Sequence, residues 1–139
     1  MPLRQRQEVQ EMLRGLQIRG NNMFSGVFYV KVDHDGYIVF PEEWRHLVAK
    51  DRTFYFAPTH CNDTFDLTPQ RLYDAEVGLL AALSTEKGMG DITLAYRSES
   101  FKVVVEEDWR MRVPKTVLDA VGAKDTITLV GGVRKILVS

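Results

Sequence analysis

Phe28-Tyr29-Val30-Lys31-Val32-Asp33-His34-Asp35-Gly36-Tyr37-Ile38-Val39-Phe40-Pro41 is the stretch that decides the fold of this chain. Phe28, Val30 and Val32 alternate with Tyr29 and Lys31, which puts the apolar side chains on one face of a strand. Asp33-His34-Asp35-Gly36 reads as a turn, since aspartates bond nearby backbone N–H groups and glycine accepts a positive φ. Tyr37-Ile38-Val39-Phe40 resumes a strand. Pro41 ends it and suits the first turn of a helix, where its missing N–H is not needed. Glu42 and Glu43 favour the positive end of that helix, predicted over Pro41–Lys50. Thr53-Phe54-Tyr55-Phe56 is a third strand.

The same unit returns 73 positions later. Phe28, Val30, Val32, Asp35, Pro41, Val48 and Thr53 become Phe101, Val103, Val105, Asp108, Pro114, Val121 and Thr126, identical in type. Asp33 becomes Glu106, and the inward pair Ile38 and Phe40 becomes Met111 and Val113. A slip of one residue would turn every apolar face outward, so the shared register has a physical meaning. Each unit alone is too small to bury a good core. The expectation is an α+β, mainly β protein in which two related halves build one pseudo-symmetric barrel with short helices outside.

The remaining segments are read by the same rules. Val9, Met12, Leu13 and Leu16 give Leu3–Ile18 the spacing of an amphipathic helix, which Gly20-Asn21-Asn22 breaks. Phe65-Asp66-Leu67 is a short fourth strand. Thr68-Pro69 reads as a helix start, with Leu72, Leu79, Leu80 and Leu83 as the apolar side of a helix to about Leu83. Ser84–Asp91 resembles a linker. Strands are predicted at Ile92–Tyr96, Phe101–Val105 and Arg110–Val113, with a charged turn at Glu106–Trp109. A helix from Pro114 to about Val121 follows, then strands at Thr126–Val130 and Lys135–Val138 around a Gly131-Gly132 hairpin turn. The organisation is an extension over 1–22, a first repeat over 23–69, a connecting helix and linker over 70–91 and a second repeat over 92–139.

Composition narrows the function classes. A hydrophobic share of 45% and a charged share of 27% belong to a soluble globular chain. No apolar run approaches the ~20 residues of a membrane span. Cys61 is the only cysteine, which excludes an internal disulfide and fits a reducing cytoplasm. A net charge of −1 means that nucleic acid would be met by a local basic patch or by several copies together. His60-Cys61 is adjacent rather than at zinc-ligand spacing, and Glu106-Glu107-Asp108 point in different directions. Neither a nucleophile elbow nor a glycine-rich phosphate loop occurs. The expectation is therefore no metal, no cofactor, no small-molecule substrate and no enzyme.

Met23-Phe24-Ser25-Gly26 resembles the Met-Phe-x-Gly opening of the MraZ family, bacterial members of the SpoVT/AbrB-like superfamily. That family carries two copies of Asp-x-x-x-Arg, each followed after three residues by proline and a short helix. Here the first copy runs from Asp33 to Tyr37 and then Pro41, and the second from Glu106 to Arg110 and then Pro114. Val121-Gly122-Ala123-Lys124-Asp125, followed by Ile127 to Gly131, is similar to the family's C-terminal part, so the resemblance covers residues 23–139. It implies a cytoplasmic, nucleoid-associated transcriptional regulator near cell-division and cell-wall genes. Such a protein assembles into a ring and touches repeated promoter boxes through the two loops. The departures are Tyr37 where the family has arginine and Glu106 where it has aspartate. The first loop thus lacks a guanidinium to clamp a phosphate or read a base edge, although Tyr37 can donate a hydrogen bond or stack.

Arg110 and Arg112 lie two apart on a strand and share a face, with Lys102 and Arg97 near in sequence. They are the first candidates for DNA contact. Lys31, His34 and Tyr37 are the second. The competing reading of Arg110 is a pair with Glu106 across the turn, and of the whole chain an assembly or protein-interaction module without DNA. Trp44 and Trp109 read as packing residues, with Trp109 in a turn and open to a neighbouring subunit. The extension is either a packing helix at a subunit interface or an addition upstream of a natural first residue at Met23.

Overall fold

The computed structural model describes residues 23–88 and 92–139, together with Gln7. The helix expected over Leu3–Ile18 and the end of the expected linker lie outside the described residues. Among the described residues eight strands are formed: β1 Val27–Lys31, β2 Tyr37–Val39, β3 Thr53–Pro58, β4 Phe65–Pro69, β5 Phe101–Val104, β6 Arg110–Arg112, β7 Thr126–Gly131 and β8 Ile136–Val138. They also include the α-helices α1 Gln70–Lys87, α2 Ile92–Ser98 and α3 Lys115–Ala120, and a 3-10 helix over Glu42–Leu47. The protein is α+β and mainly β. Among the described residues no helix is long and apolar enough to cross a membrane.

All strand pairs are antiparallel, and they interleave the two repeats. β1 of the first repeat pairs with β7 of the second, and β5 of the second pairs with β3 of the first. The registers correspond. Phe28 faces Leu129 and Val30 faces Ile127; at the related positions Phe101 faces Phe56 and Val103 faces Phe54. β2 and β6 pair with each other, Tyr37 with Arg112, Ile38 with Met111 and Val39 with Arg110. That ladder maps onto itself under the 73-residue shift, so a pseudo-two-fold axis passes between Ile38 and Met111. Both are fully buried.

Backbone bonds outside the ladders come in related pairs. Phe40 N–H donates to the Trp109 carbonyl at 2.7 Å and Val113 N–H to that of Gly36 at 2.8 Å. Val32 N–H donates to Asp125 O and Val105 N–H to Arg52 O, each at 2.8 Å. The inward faces meet in one core. Phe24, Phe40, Trp44, Phe54, Phe56 and Phe65 are its buried aromatic residues, and the Trp44 indole N–H finds the Ser25 carbonyl at 2.8 Å. Gly131 lies under this entry segment: a Cβ there would stand 2.7 Å from the Phe24 carbonyl carbon.

The larger sheet has six strands in the order β1-β7-β8-β4-β3-β5, and β2-β6 forms a separate two-stranded sheet. Three expectations are corrected. Ile92–Tyr96 is not a strand but the body of α2. Ile92 and Tyr96 are buried four residues apart while Leu94, which a strand would bury with them, is 67% exposed. Ser84–Lys87 continues α1 instead of linking, because no breaker occurs before Gly88, which ends the helix at φ 66. Thr68 does not cap that helix. It is held in the β3–β4 ladder opposite Tyr55, and α1 starts after Pro69 without a side-chain cap.

α1 and α2 pack on the outer face of β3 and β4. Tyr55 stacks on Tyr73 at 4.0 Å, and Tyr73 on Tyr96 at 5.9 Å. Between helix and sheet lies an ionic cluster. Lys135 Nζ stands 2.9 Å from Glu76 Oε1 and 3.7 Å from Asp66 Oδ2, and Glu76 is buried. Burial pushes the Asp66 carboxyl above its ordinary value against the pull of Lys135. Burial acts to lower the Lys135 ammonium, but Asp66 and Glu76 outweigh it and hold the group above its ordinary value. Its favourable contribution is therefore complete below the ordinary lysine value and is lost only as pH rises through the raised one.

Removing the cation would leave two desolvated carboxylates facing each other. Lys135→Met is expected to destabilise the fold by about 3–5 kcal/mol in urea unfolding at pH 7, and a loss under ~1 kcal/mol would show the cluster to be solvated. Gly131→Ala is expected to cost about 1–3 kcal/mol, because the neighbour it meets is backbone; an unchanged midpoint in the same measurement would contradict that packing.

A candidate nucleic-acid interface on the central ribbon

β2 and β6 form a two-stranded ribbon whose inner side is Ile38 and Met111. Alternation then sends Tyr37, Val39, Arg110 and Arg112 outward. Val39 is 53% exposed, Arg112 is exposed, and Tyr37 and Arg110 are half-buried against each other. The Arg110 guanidinium carbon lies 4.4 Å from the centre of the Tyr37 ring. The same guanidinium reaches past the ring to Asp33, with Nη2 3.0 Å from Oδ2.

Arg110 therefore does not pair with Glu106. The second copy's arginine pairs with the first copy's aspartate, because β2 and β6 are adjacent and each loop folds back toward the other strand. The related pair is Tyr37 with Glu106, which line one groove of about 270 Å³ together with Lys102, Arg112 and Pro114. The Glu106 carbonyl instead accepts from Arg52 Nη1 at 2.7 Å.

The two turns have one backbone and different side chains. In the first, Gly36 has φ 86 and its N–H donates to the Asp33 carbonyl at 3.0 Å; in the second, Trp109 has φ 67 and donates to that of Glu106 at 2.9 Å. Trp109 is not left open. Its ring is half-buried and carries the Arg52 guanidinium carbon at 3.8 Å and that of Arg45 at 5.2 Å. Sequence reading missed both arginines, and the repeat offered no signal, since the position related to Arg52 is Asp125.

Asp33 organises the first turn. Its Oδ1 accepts the N–H groups of Asp35 and Tyr37, each at 2.9 Å. The carboxyl is held below its ordinary value, first by the Tyr37 N–H, against some desolvation, and then by the Asp35 N–H and Arg110. Lys31 lies at the exposed end of β1 and is not among the residues lining the groove. His34 stands at the loop tip with its side chain 91% exposed, Nε2 3.3 Å from Asp35 Oδ2. Arg97 lies on α2, away from the ribbon and near Tyr73. The structure thus joins Tyr37, Arg110, Arg112 and Lys102, and sets Lys31 and His34 at the margin.

Among the described residues no group of three or more histidine, cysteine, aspartate or glutamate side chains could hold a metal ion. Cys61 lies in a turn where its N–H donates to Thr59 Oγ1 at 3.0 Å. The protein-family models searched include none that matches this chain, and no curated protein matches it.

A lowered carboxylate stabilises the fold above its unfolded value and loses that contribution as pH falls through the folded one, here below 3.8. An NMR titration is expected to place the Asp33 midpoint below 3.8, with Arg110→Gln raising it only part of the way. Complete return to the ordinary value in that variant would mean that the arginine, and not the Tyr37 N–H, is the main cause.

Proposed function

We propose that this chain is a DNA-binding transcriptional regulator resembling the MraZ family, acting in the cytoplasm on nucleoid DNA as a homo-oligomer. The pseudo-symmetric interleaving of two SpoVT/AbrB-like half-barrels would be its scaffold. The observation that carries the reading is the ribbon: a two-stranded antiparallel element that projects Arg112, Tyr37 and Arg110, with Lys102 beside them. A ribbon of this kind fits the major groove of B-DNA, and arginine and lysine neutralise flanking phosphates.

The chemistry divides the roles. Arg112 and Lys102 are the groove cations for phosphate. Arg110 is held by Asp33 and Tyr37, so it presents a pre-positioned guanidinium edge at little further cost in side-chain entropy. Lys31 and His34 are marginal contacts. A single ribbon with so few cations, on a chain of net charge −1, gives little affinity. Several copies facing repeated boxes gain it through effective concentration.

A second reading rests on a specific observation: Val39 is exposed on the outer side of the ribbon and its ladder partner Arg110 is already neutralised by Asp33. Those features suit a protein partner, which makes an assembly or interaction module the alternative. Fluorescence anisotropy with DNA from upstream of the chain's own gene, across a salt series, separates the two. The regulator should bind with a steep salt dependence, and Arg112→Ala and Lys102→Ala should each reduce the log–log slope by about 1. Absent or salt-insensitive binding would favour the interaction module.

A further inference from the structure

The two turns of the repeat share a backbone but carry different side chains around it. At the left-handed position the first turn has Gly36, and the residues related to Arg45 and Arg52 are Leu118 and Asp125. That turn closes with no arginine against it. The second turn has Trp109 at φ 67, with the guanidinium carbon of Arg52 at 3.8 Å and that of Arg45 at 5.2 Å from the ring centre. Glycine would meet the backbone demand without strain. An indole under two arginines is therefore more than the turn requires, and strain retained in this way marks a functional position.

The two arginines are gathered but not neutralised. Their guanidinium carbons lie no further apart than 3.8 and 5.2 Å taken together. Neither joins an ion pair among the described residues. Arg52 Nη1 donates to the Glu106 carbonyl at 2.7 Å, and Arg45 Nε to that of Phe40 at 3.3 Å. Among the described residues nothing accepts from Arg52 Nη2 or from either Nη atom of Arg45. The acids nearest in sequence are otherwise placed. Asp51 Oδ1 accepts the Thr53 N–H and Asp108 Oδ1 the Arg110 N–H, each at 3.1 Å, and Glu107 is exposed.

We propose that Arg45, Arg52 and Trp109 form a binding site for one phosphate group. The indole takes the guanidinium of Arg52 by its face, which leaves the N–H edges for a ligand. Two planar forks offer two positive charges and paired donors to the oxygens of a tetrahedral phosphate. A carboxylate, with one charge and two oxygens, is satisfied by a single fork. Charge-assisted bonds of about 2.8 Å on either side of one phosphate span the gap between the arginines. None of the three residues lines the groove beside the ribbon, so the site is separate from it. The phosphate is either a free ion or monoester, or a backbone diester of nucleic acid, and the experiment separates the two sources.

The unaltered chain carries its own reporter. It has two tryptophans, and Trp44 is buried with its indole N–H fixed to the Ser25 carbonyl. The Trp109 indole signal in a nitrogen-correlated NMR spectrum then reads the site, with that of Trp44 as the internal reference. Inorganic phosphate at pH 7 is expected to shift the Trp109 signal saturably and to leave Trp44 in place, while chloride at equal ionic strength does neither. A short DNA duplex is titrated in the same way. Tighter saturation by the duplex assigns the site to backbone diesters, and tighter saturation by inorganic phosphate to a free ion or monoester. Arg45→Gln and Arg52→Gln are each expected to weaken binding about ten-fold. Trp109→Gly copies the first turn and so keeps the fold; followed by phosphorus NMR of the added phosphate, it should weaken binding as well. No saturable shift with either probe, an equal shift with chloride, or unchanged affinity in any of the three variants would overturn the proposal. Inorganic phosphate reads the site without DNA, so a ribbon that fails to bind DNA leaves this result standing.

Discussion

The pairing of Ile38 with Met111 is the contact on which the rest of the architecture depends. β2 and β6 are only three residues long, too short to be stable as an isolated ribbon. They persist because both central side chains are fully buried and because the Phe40–Trp109 and Val113–Gly36 backbone bonds tie each strand to the opposite loop. That pairing lies on the pseudo-two-fold axis, so it sets the relation between β1–β7 and β5–β3. It also sets which loop faces which strand. The Asp33–Arg110 ion pair is a consequence: it needs one group from each repeat, and only the crossed arrangement supplies both.

Around this shared backbone the two repeats have taken different surface roles. A left-handed turn residue is required at the same place in each. Gly36 meets it without strain, while Trp109 meets it at a cost of about 1–2 kcal/mol. The stacking of Arg52 and Arg45 on the indole face offsets part of that cost, at about 0.5–1 kcal/mol for an exposed contact. The first turn is instead ordered from within by the Asp33 carboxylate. One repeat thus spends its arginines on holding a turn, and the outward cations of the ribbon come from the other strand, at Arg110 and Arg112.

The outer face of the large sheet has its own logic, independent of the axis. The repeats alone would leave both halves of that face alike. α1, between the repeats in sequence, and α2, at the start of the second, lie on the β3–β4 half, fastened by the stacked tyrosines and by Lys135 between Asp66 and Glu76. Glu76 is buried among Leu72, Tyr73 and Leu80 on the inner side of α1, and the sequence reading singled out neither it nor its partner. Lys135 comes from just before β8, 59 residues further along, beyond the reach of any local pattern.

The sequence by itself determined the strands, the turns and their duplication, since alternation, Asp-Gly turn chemistry and helix-opening prolines act within a few residues of the chain. It determined much of the inward set as well: Phe28, Val30, Ile38, Phe40 and their counterparts pack where their period places them. Short-range reasoning failed at Ile92–Tyr96, where apolar residues spaced by two also include a pair spaced by four, and α1 selects the second by burying it. Only the tertiary structure decided that the repeats exchange strands, that Arg110 answers Asp33 and not Glu106, and that Arg52 covers Trp109. Each of these joins residues dozens of positions apart. No local pattern encodes such a partner, because the choice is made by which strands the buried Ile38–Met111 contact brings side by side.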